Sequence, residues 1–341
     1  MRWRMGGLLV LFSGVGSSLV PGLWAQTPSR PQLAAEALYS NPEAQDQDDL
    51  CLFADRETPE RGLVITSDKS AGRVFLYEPD GRLQQSIELQ QPGNIDLRTD
   101  VPWNGNRETL VVVNERAAQR LAVFRIDRQR RELERLDDGS IVTGENYGGC
   151  LLRTRDPERL VAVVTSKTQG VSRWELSPTA EGRATGRRVG AWPLGFCEGA
   201  VGDDATGDVY VAVEDQGVYR LPGNTEQGEG AAEPALVIRV GEAGLRGDVE
   251  GMAILAKPQG GRYLVLSDQG NSEFRIHELR TPYALVAAFT LEGVAHTDGL
   301  DVQLASLGPR FPLGLFACHS DVDSGKSVRA ADARLLLELL P

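Results

Sequence analysis

The feature that most constrains this chain is a repeat. Strand-like runs with polar ends begin at Leu63 (LVITSD), Leu110 (LVVVNE), Leu160 (LVAVVTS), Asp208 (DVYVAVED), Tyr263 (YLVLSD) and Leu313 (LGLFACHSD), at spacings of 47, 50, 48, 55 and 50 residues. The first five are each followed by a second run: RVFLYE, LAVFRI, VSRWEL, GVYRL and FRIHEL. A further series with the same period runs just ahead of them: DDLCLF, NIDLR, YGGCLL, CEGAVGDD, VEGMAIL and TDGLDVQL. Six units of about 50 residues, each with four short strands, predict an all-β single domain, a six-bladed β-propeller. Two packed sandwiches would need a break in composition near the middle, and Gly, Asp and Arg run evenly throughout. Residues 329–340 read as a terminal helix or the last strand region. Residues 33–39 read as a helix or a strand that closes the ring.

Residues 1–25 read as a cleaved secretory signal, with Arg2 and Arg4 ahead of an apolar stretch and a cut after Ala25. The expected organisation is signal peptide 1–25, N-terminal extension 26–42 and propeller 43–341, in a protein exported to the periplasm or secreted. No later segment approaches the roughly 20 apolar residues of a membrane span. The formal charge is −12 and the leader carries +2, which leaves −14. That charge argues against nucleic acid or an anionic membrane as partner, and a monomer is expected. Four cysteines, Cys51, Cys150, Cys197 and Cys318, match no zinc spacing and allow three pairings. Ring closure suggests Cys51 with Cys318, and successive channel-lining strands suggest Cys150 with Cys197.

In a four-stranded blade the first strand lines the channel and the second runs antiparallel to it, so strand-one starts and strand-two ends share a face. Strand-one starts carry Asp46, Asp48, Asp49, Asp96, Tyr147, Glu198, Asp248, Glu250, Asp298 and Asp301. Strand-two ends carry Asp68, Lys69, Glu115, Arg116, Lys167, Glu214, Asp215 and Asp268. Carboxylates so gathered repel one another and suit hard cations, and calcium takes six to eight oxygen ligands in flexible geometry. Two of the chain's four lysines, Lys69 and Lys167, fall at matching strand-two ends, and with Arg98 and Arg116 they form a basic set on the same face. Metal-bridged acids beside such cations fit a phosphate-rich ligand. His277, His296 and His319 fall at no repeat-phased position and form no Ser-His-Asp arrangement.

At these residues the sequence resembles the β-propeller phytases, the alkaline calcium-dependent family, over residues 43–320. PGNIDLRTDVPWNG (92–105) carries the most specific match, and DQDDLCLF resembles the family's acidic N-terminal motif. The resemblance implies a phosphomonoesterase of the 3-phytase type that hydrolyses phytate, myo-inositol hexakisphosphate, through attack by a water on calcium. It places Asp48, Asp49, Glu198, Glu214, Asp248, Glu250 and Asp298 as ligands of several calcium ions. It gives Lys69, Arg116, Tyr147, Lys167 and Arg98 to the substrate. Glu214, Lys69, Arg116 and Lys167 take the catalytic roles. Ser70 and Thr168 stand where the family has a lysine and an acidic residue, and they motivate the competing expectation of a calcium-stabilised propeller that binds a ligand or partner without turnover.

Overall fold

The computed structural model describes residues 30–154, 156, 159–223, 233–322 and 327–341, so the expected signal at 1–25 lies outside the described residues. Two short strands come first, β1 (Gln32–Leu33) and β2 (Ala37–Tyr39). Blade 1 is β3 (Gln47–Phe53), β4 (Leu63–Asp68), β5 (Arg73–Tyr77) and β6 (Leu83–Glu88). Blade 2 is β7 (Pro92–Trp103), β8 (Asn106–Glu115), β9 (Arg120–Asp127) and β10 (Glu132–Arg135). Blade 3 is β11 (Gly149–Arg153), β12 (Leu160–Ser166), β13 (Gly170–Pro178) and β14 (Ala184–Trp192). Blade 4 is β15 (Cys197–Asp203), β16 (Asp208–Val213), β17 (Gly217–Leu221) and β18 (Ala235–Arg239). Blade 5 is β19 (Val249–Ala256), β20 (Arg262–Asp268), β21 (Glu273–Glu278) and β22 (Leu285–Leu291), with β1 added in parallel at its rim.

Blade 6 is built from both ends of the chain. Its inner strands are β23 (Leu300–Gln303), β24 (Leu315–His319) and β25 (Val328–Asp332), and its outer strand is β2. Residues 37–39 therefore close the ring as a strand, inside the segment read from sequence as an extension. Both readings of the C-terminus occur in turn: β25 is followed by the short helix α1 (Arg334–Leu337). The innermost strands β3, β7, β11, β15, β19 and β23 touch in cyclic order, and β23 meets β3.

The core is six apolar layers, one between each pair of adjacent blades. Alternation along each strand sends successive side chains to opposite neighbours. On β3, Leu50 and Leu52 pack with blade 6, while Cys51 and Phe53 pack with blade 2. Cys318 faces blade 5. Cys51 and Cys318 thus point away from each other around the ring, and the pairing suggested by closure does not form. Cys150 and Cys197 do share the layer between blades 3 and 4, yet both are buried free thiols, and the Cys197 thiol donates to the Gly195 carbonyl at 3.0 Å.

Aspartates of the channel wall tie neighbouring blades, Asp49 buried and Asp96 and Asp301 half-buried along the channel. Asp49 accepts the Ile95 N–H (3.1 Å), Asp96 accepts the Leu151 N–H (2.7 Å), and Asp301 accepts the Leu52 N–H (2.8 Å). Each bond satisfies an inner-strand donor that lacks a sheet partner on that side.

Candidate active site

One mouth of the channel is built from two rings of side chains. The inner ring comes from the strand-one starts: Asp48, Asn94, Tyr147, Glu198, Glu250 and Asp298, one per blade. The outer ring comes from the residue that directly follows each second strand: Lys69, Arg116, Lys167, Glu214 and Gln269 from blades 1 to 5. Together with Asp248 they enclose a cavity of about 370 Å³.

Local irregularities in the strands aim the inner ring. The register of β3 slips between Gln47 and Asp49, that of β7 between Pro92 and Ile95, that of β15 between Cys197 and Ala200, and that of β19 between Val249 and Met252. The extra residue of such a bulge leaves the ladder and redirects its side chain. Asp48, Asn94, Glu198 and Glu250 sit in these slips. The glycine after three of the acids lets the blades approach. A Cβ on Gly251 would lie 2.5 Å from the Asp298 carbonyl, and one on Gly299 would strike the Asp49 carboxylate. Asp248 is turned in by a left-handed backbone, φ 49°, which aspartate tolerates.

The rings are divided by charge. Blades 1 to 3 give Lys69, Arg116 and Lys167, and blades 4 to 6 give Glu198, Glu214, Asp248, Glu250 and Asp298. Asp48 bridges the halves: Lys69 Nζ lies 2.7 Å from its Oδ1 and Arg116 Nη2 lies 2.7 Å from its Oδ2. Burial alone would raise the Asp48 carboxyl, but Arg116 and Lys69 outweigh it and hold it below the usual range. Lys167 pairs with Glu198 at 2.8 Å, and Lys69 also lies 3.6 Å from Asp298. Tyr147 stands between two cations, with Arg116 4.1 Å and Lys167 Nζ 3.8 Å from its ring centre. Gln269 donates to Asp298 Oδ1 at 2.5 Å.

The acidic half carries more carboxylates than its cations neutralise. Burial, then the neighbouring Glu198, push Glu250 well above the usual carboxylate range. Burial and hydrogen bonding with Asp248 raise Glu214, and burial raises Asp298. Carboxylates close enough to share a proton are a cradle in which a cation can take the proton's place. The donors around the cavity are carboxylates and the side-chain amides of Asn94 and Gln269, an oxygen set that fits a hard cation and lacks the thiolates of a soft-metal site.

All the residues read from sequence as ligands or substrate contacts meet at this mouth except Arg98. Asp49 is at the floor, with one oxygen on the Ile95 N–H. Arg98 is four residues beyond Asn94 along β7, about 13 Å at strand rise, and lies in a second channel cavity of about 310 Å³. There its guanidinium is used by Asp96, Asp204 and the carbonyls of Leu151 and Gly202, so it ties blades 2, 3 and 4 instead of facing the mouth. Asp96 and Asp301 share that deeper cavity. Asp68, Glu115 and Asp268, expected among the mouth acids, point the other way. Asp68 accepts the N–H groups of Gln45, Asp46 and Ala71, Glu115 pairs with Arg120 and Arg135, and Asp268 pairs with Arg275. Period-two alternation is the reason: if the residue after the strand faces the channel, the last residue of the strand does not.

Sequence reasoning passed over three residues. Asn94 and Gln269 stand in phase with the acids, and that phase was the available signal. His319 is fully buried; its Nδ1 accepts the Asp298 N–H at 3.1 Å, and Asp46, His319 and Asp321 bring ligand atoms within 4.8 Å of one another, an arrangement that fits a metal ion.

The comparisons with known proteins agree with this geometry. A family model described as Phytase matches residues 25–332. The 3-phytase of Bacillus subtilis (strain 168) is 31% identical over 296 residues, covering 82% of this chain and 76% of its own length. Among solved structures, the calcium-binding protein regucalcin from Agrobacterium tumefaciens strain C58 is similar with a TM-score of 0.53 at 10% identity, over 89% of this chain and 95% of that one. A luciferin-regenerating enzyme is similar with a TM-score of 0.53 at 11% identity, over 86% of this chain and 95% of that one. At such identities these two share the fold alone.

Proposed function

The chain belongs to the phytase family, and on that premise we propose that it releases phosphate from phytate in a calcium-dependent reaction at the two-ring mouth. The observation that carries this reading is the division of one cavity into a cationic and a carboxylate half. Glu198, Glu214, Asp248, Glu250 and Asp298, with Asp48 and Asp49 behind them, are the residues that would hold calcium. Bound there, calcium supplies positive charge for phosphate oxygens and makes water at the site more acidic.

The chain's own residues do the rest. Lys69, Arg116 and Lys167 take phosphate oxygens in exchange for their present carboxylate partners and stabilise charge on the equatorial oxygens of the transferring group. The Tyr147 ring fixes where Arg116 and Lys167 stand. Glu214, on the outer ring, takes a proton from the attacking water at a carboxylate oxygen as the bond between phosphorus and the inositol oxygen breaks, and the departing oxygen takes a proton from solvent water. Ser70 and Thr168 turn aside from the cavity, Ser70 to Asp46 and Thr168 to Glu145, and neither lines it.

The test is phosphate release from phytate with calcium, and again after chelation. Calcium-dependent release is the expected result. No release at any calcium concentration from folded protein would leave ligand binding without turnover. The protein is further proposed to act as an exported monomer. The signal-like sequence at residues 1–25 and the closure of the ring within one chain support this. N-terminal sequencing of the mature protein and light scattering test the two parts.

A further inference from the structure

Lys167 follows β12 directly and carries its ammonium on a flexible four-carbon stem. Three groups fix where that stem ends. Glu198 Oε1 lies 2.8 Å from Nζ, the Tyr147 ring centre 3.8 Å and the Phe196 ring centre 4.3 Å. Both rings are inside the roughly 6 Å within which an aromatic face attracts a cation. Glu198 and Tyr147 each take part in the proposed reaction, and Phe196 does not.

Phe196 is 39% exposed, the one aromatic ring among the exposed large hydrophobic side chains of the described residues. Burial of its own therefore does not hold it at the mouth. Its backbone is fastened from both sides instead. The thiol of the buried Cys197 donates to the Gly195 carbonyl at 3.0 Å, and the Phe196 carbonyl accepts the Glu214 N–H at 3.3 Å. Cys197 points into the layer between blades 3 and 4, and the residues on either side of it, Phe196 and Glu198, both meet Lys167. Alternation along the chain puts these two on the same side.

An aromatic face does here what a carboxylate cannot. Glu198 is a proposed calcium ligand, and a carboxylate turned to calcium no longer holds Lys167. A further carboxylate beside the ammonium would hold it but would repel an incoming phosphate. The face of a benzene ring attracts the ammonium through its quadrupole and carries no net charge. Two such faces, Tyr147 from blade 3 and Phe196 from blade 4, keep Nζ at the mouth and leave its full charge to the phosphate.

We infer that Phe196 is a positioning residue: with Tyr147 it clamps the Lys167 ammonium and keeps it in place for phosphate when calcium draws Glu198 away. The inference rests on the phytase reading of the mouth. The chain has four lysines, so reductive methylation with 13C-formaldehyde gives few dimethylammonium signals, and that of Lys167 is the one missing from Lys167→Arg. In the wild type with calcium this signal should lie upfield, displaced by the ring currents, and Phe196→Leu should move it toward the position of an exposed lysine. On phytate with saturating calcium, Phe196→Leu should lower kcat/KM about fivefold, the size of one cation–π contact, and leave the melting temperature as it is. Phe196→Tyr keeps the aromatic face and should restore both the methyl shift and the activity. A Lys167 signal without an upfield shift in the wild type, or one that Phe196→Leu leaves unmoved, overturns the clamp. So does an unchanged kcat/KM, or a loss that Phe196→Tyr does not restore. If the wild type releases no phosphate at all, the phytase reading fails on its own account, and the methyl signal in calcium alone decides whether Phe196 holds Lys167.

Discussion

Arg116 of blade 2 reaches Asp48 of blade 1, Nη2 to Oδ2 at 2.7 Å, while Lys69 holds the other oxygen at the same distance. One carboxylate thus sets the position of two cations that the proposed reaction needs. Asp48→Asn should free both, lower kcat/KM on phytate by about 100-fold, and destabilise the fold by about 3 kcal/mol because two partly buried cations lose their counter-charge. The pH dependence has a definite sign. The folded carboxyl sits below its unfolded value of 3.8, so its contribution is present above about pH 4 and is lost as the pH falls further. Denaturant titrations of the two proteins at pH 3 and pH 7 measure this: their difference should be smaller at pH 3 than at pH 7.

Glu250 is mostly buried beside Glu198, and both are proposed calcium ligands. Calcium should raise the melting temperature of the wild type with concentration, as any ligand of the folded state does. Glu250→Gln should shrink that rise and cut turnover by two orders of magnitude or more. A thermal-shift series in calcium, beside an activity assay, is the measurement. A full shift with full activity would remove Glu250 from the metal site.

These two residues also mark how far the sequence could be read. The repeat phase disclosed the six blades and the strand-one acids, because period and alternation are properties of sequence. Lys69, Arg116, Lys167 and Glu214 were legible for the same reason. The depth of a residue was not. Asp96, Arg98 and Asp301 share the inner strands with the mouth acids, and only the bulges and register slips show that they lie further down the channel. Nor could the sequence tell Asp68 and Glu115 from Lys69 and Arg116, since one step along a strand reverses the face. His319 was illegible because its contact with Asp298 joins the second strand of blade 6 to the residues ahead of the first.

Arg98 offers a test of that distinction. Its guanidinium is spent on Asp96, Asp204 and two carbonyls in the deeper cavity. Arg98→Ala should therefore cost stability, on the order of 2 kcal/mol for the charge-assisted hydrogen bonds lost at the half-buried Asp96 and the two carbonyls. KM for phytate, measured below the lowered melting temperature, should stay within about twofold of wild type. A large change in KM with unchanged stability would return Arg98 to the substrate.

Asp301 should give the metal-free protein an opposite pH slope. Burial, then the nearby Asp96, push its carboxyl from 3.8 up to about 7. The folded state therefore holds a proton that the unfolded state has released, and stability falls as the pH rises from about 4 to about 7. Asp301→Asn cannot titrate, so its stability should be flatter across that window than that of the wild type. Chelated samples melted at half-unit steps of pH would reveal the difference, and parallel curves would refute it.

The four thiols give the last expectation. Burial raises Cys51 and Cys150 well above the usual thiol range and Cys197 to about 12, so none is a ready thiolate at neutral pH. Cys51 and Cys318 sit in different interblade layers, and Cys150 and Cys197 share one without bonding. A thiol reagent should modify none of them in minutes on the native protein and all four once denaturant opens the blades. Reduction should change neither the intact mass nor the melting temperature. Modification that tracks the unfolding transition would fit thiols that serve only as small apolar side chains between the blades.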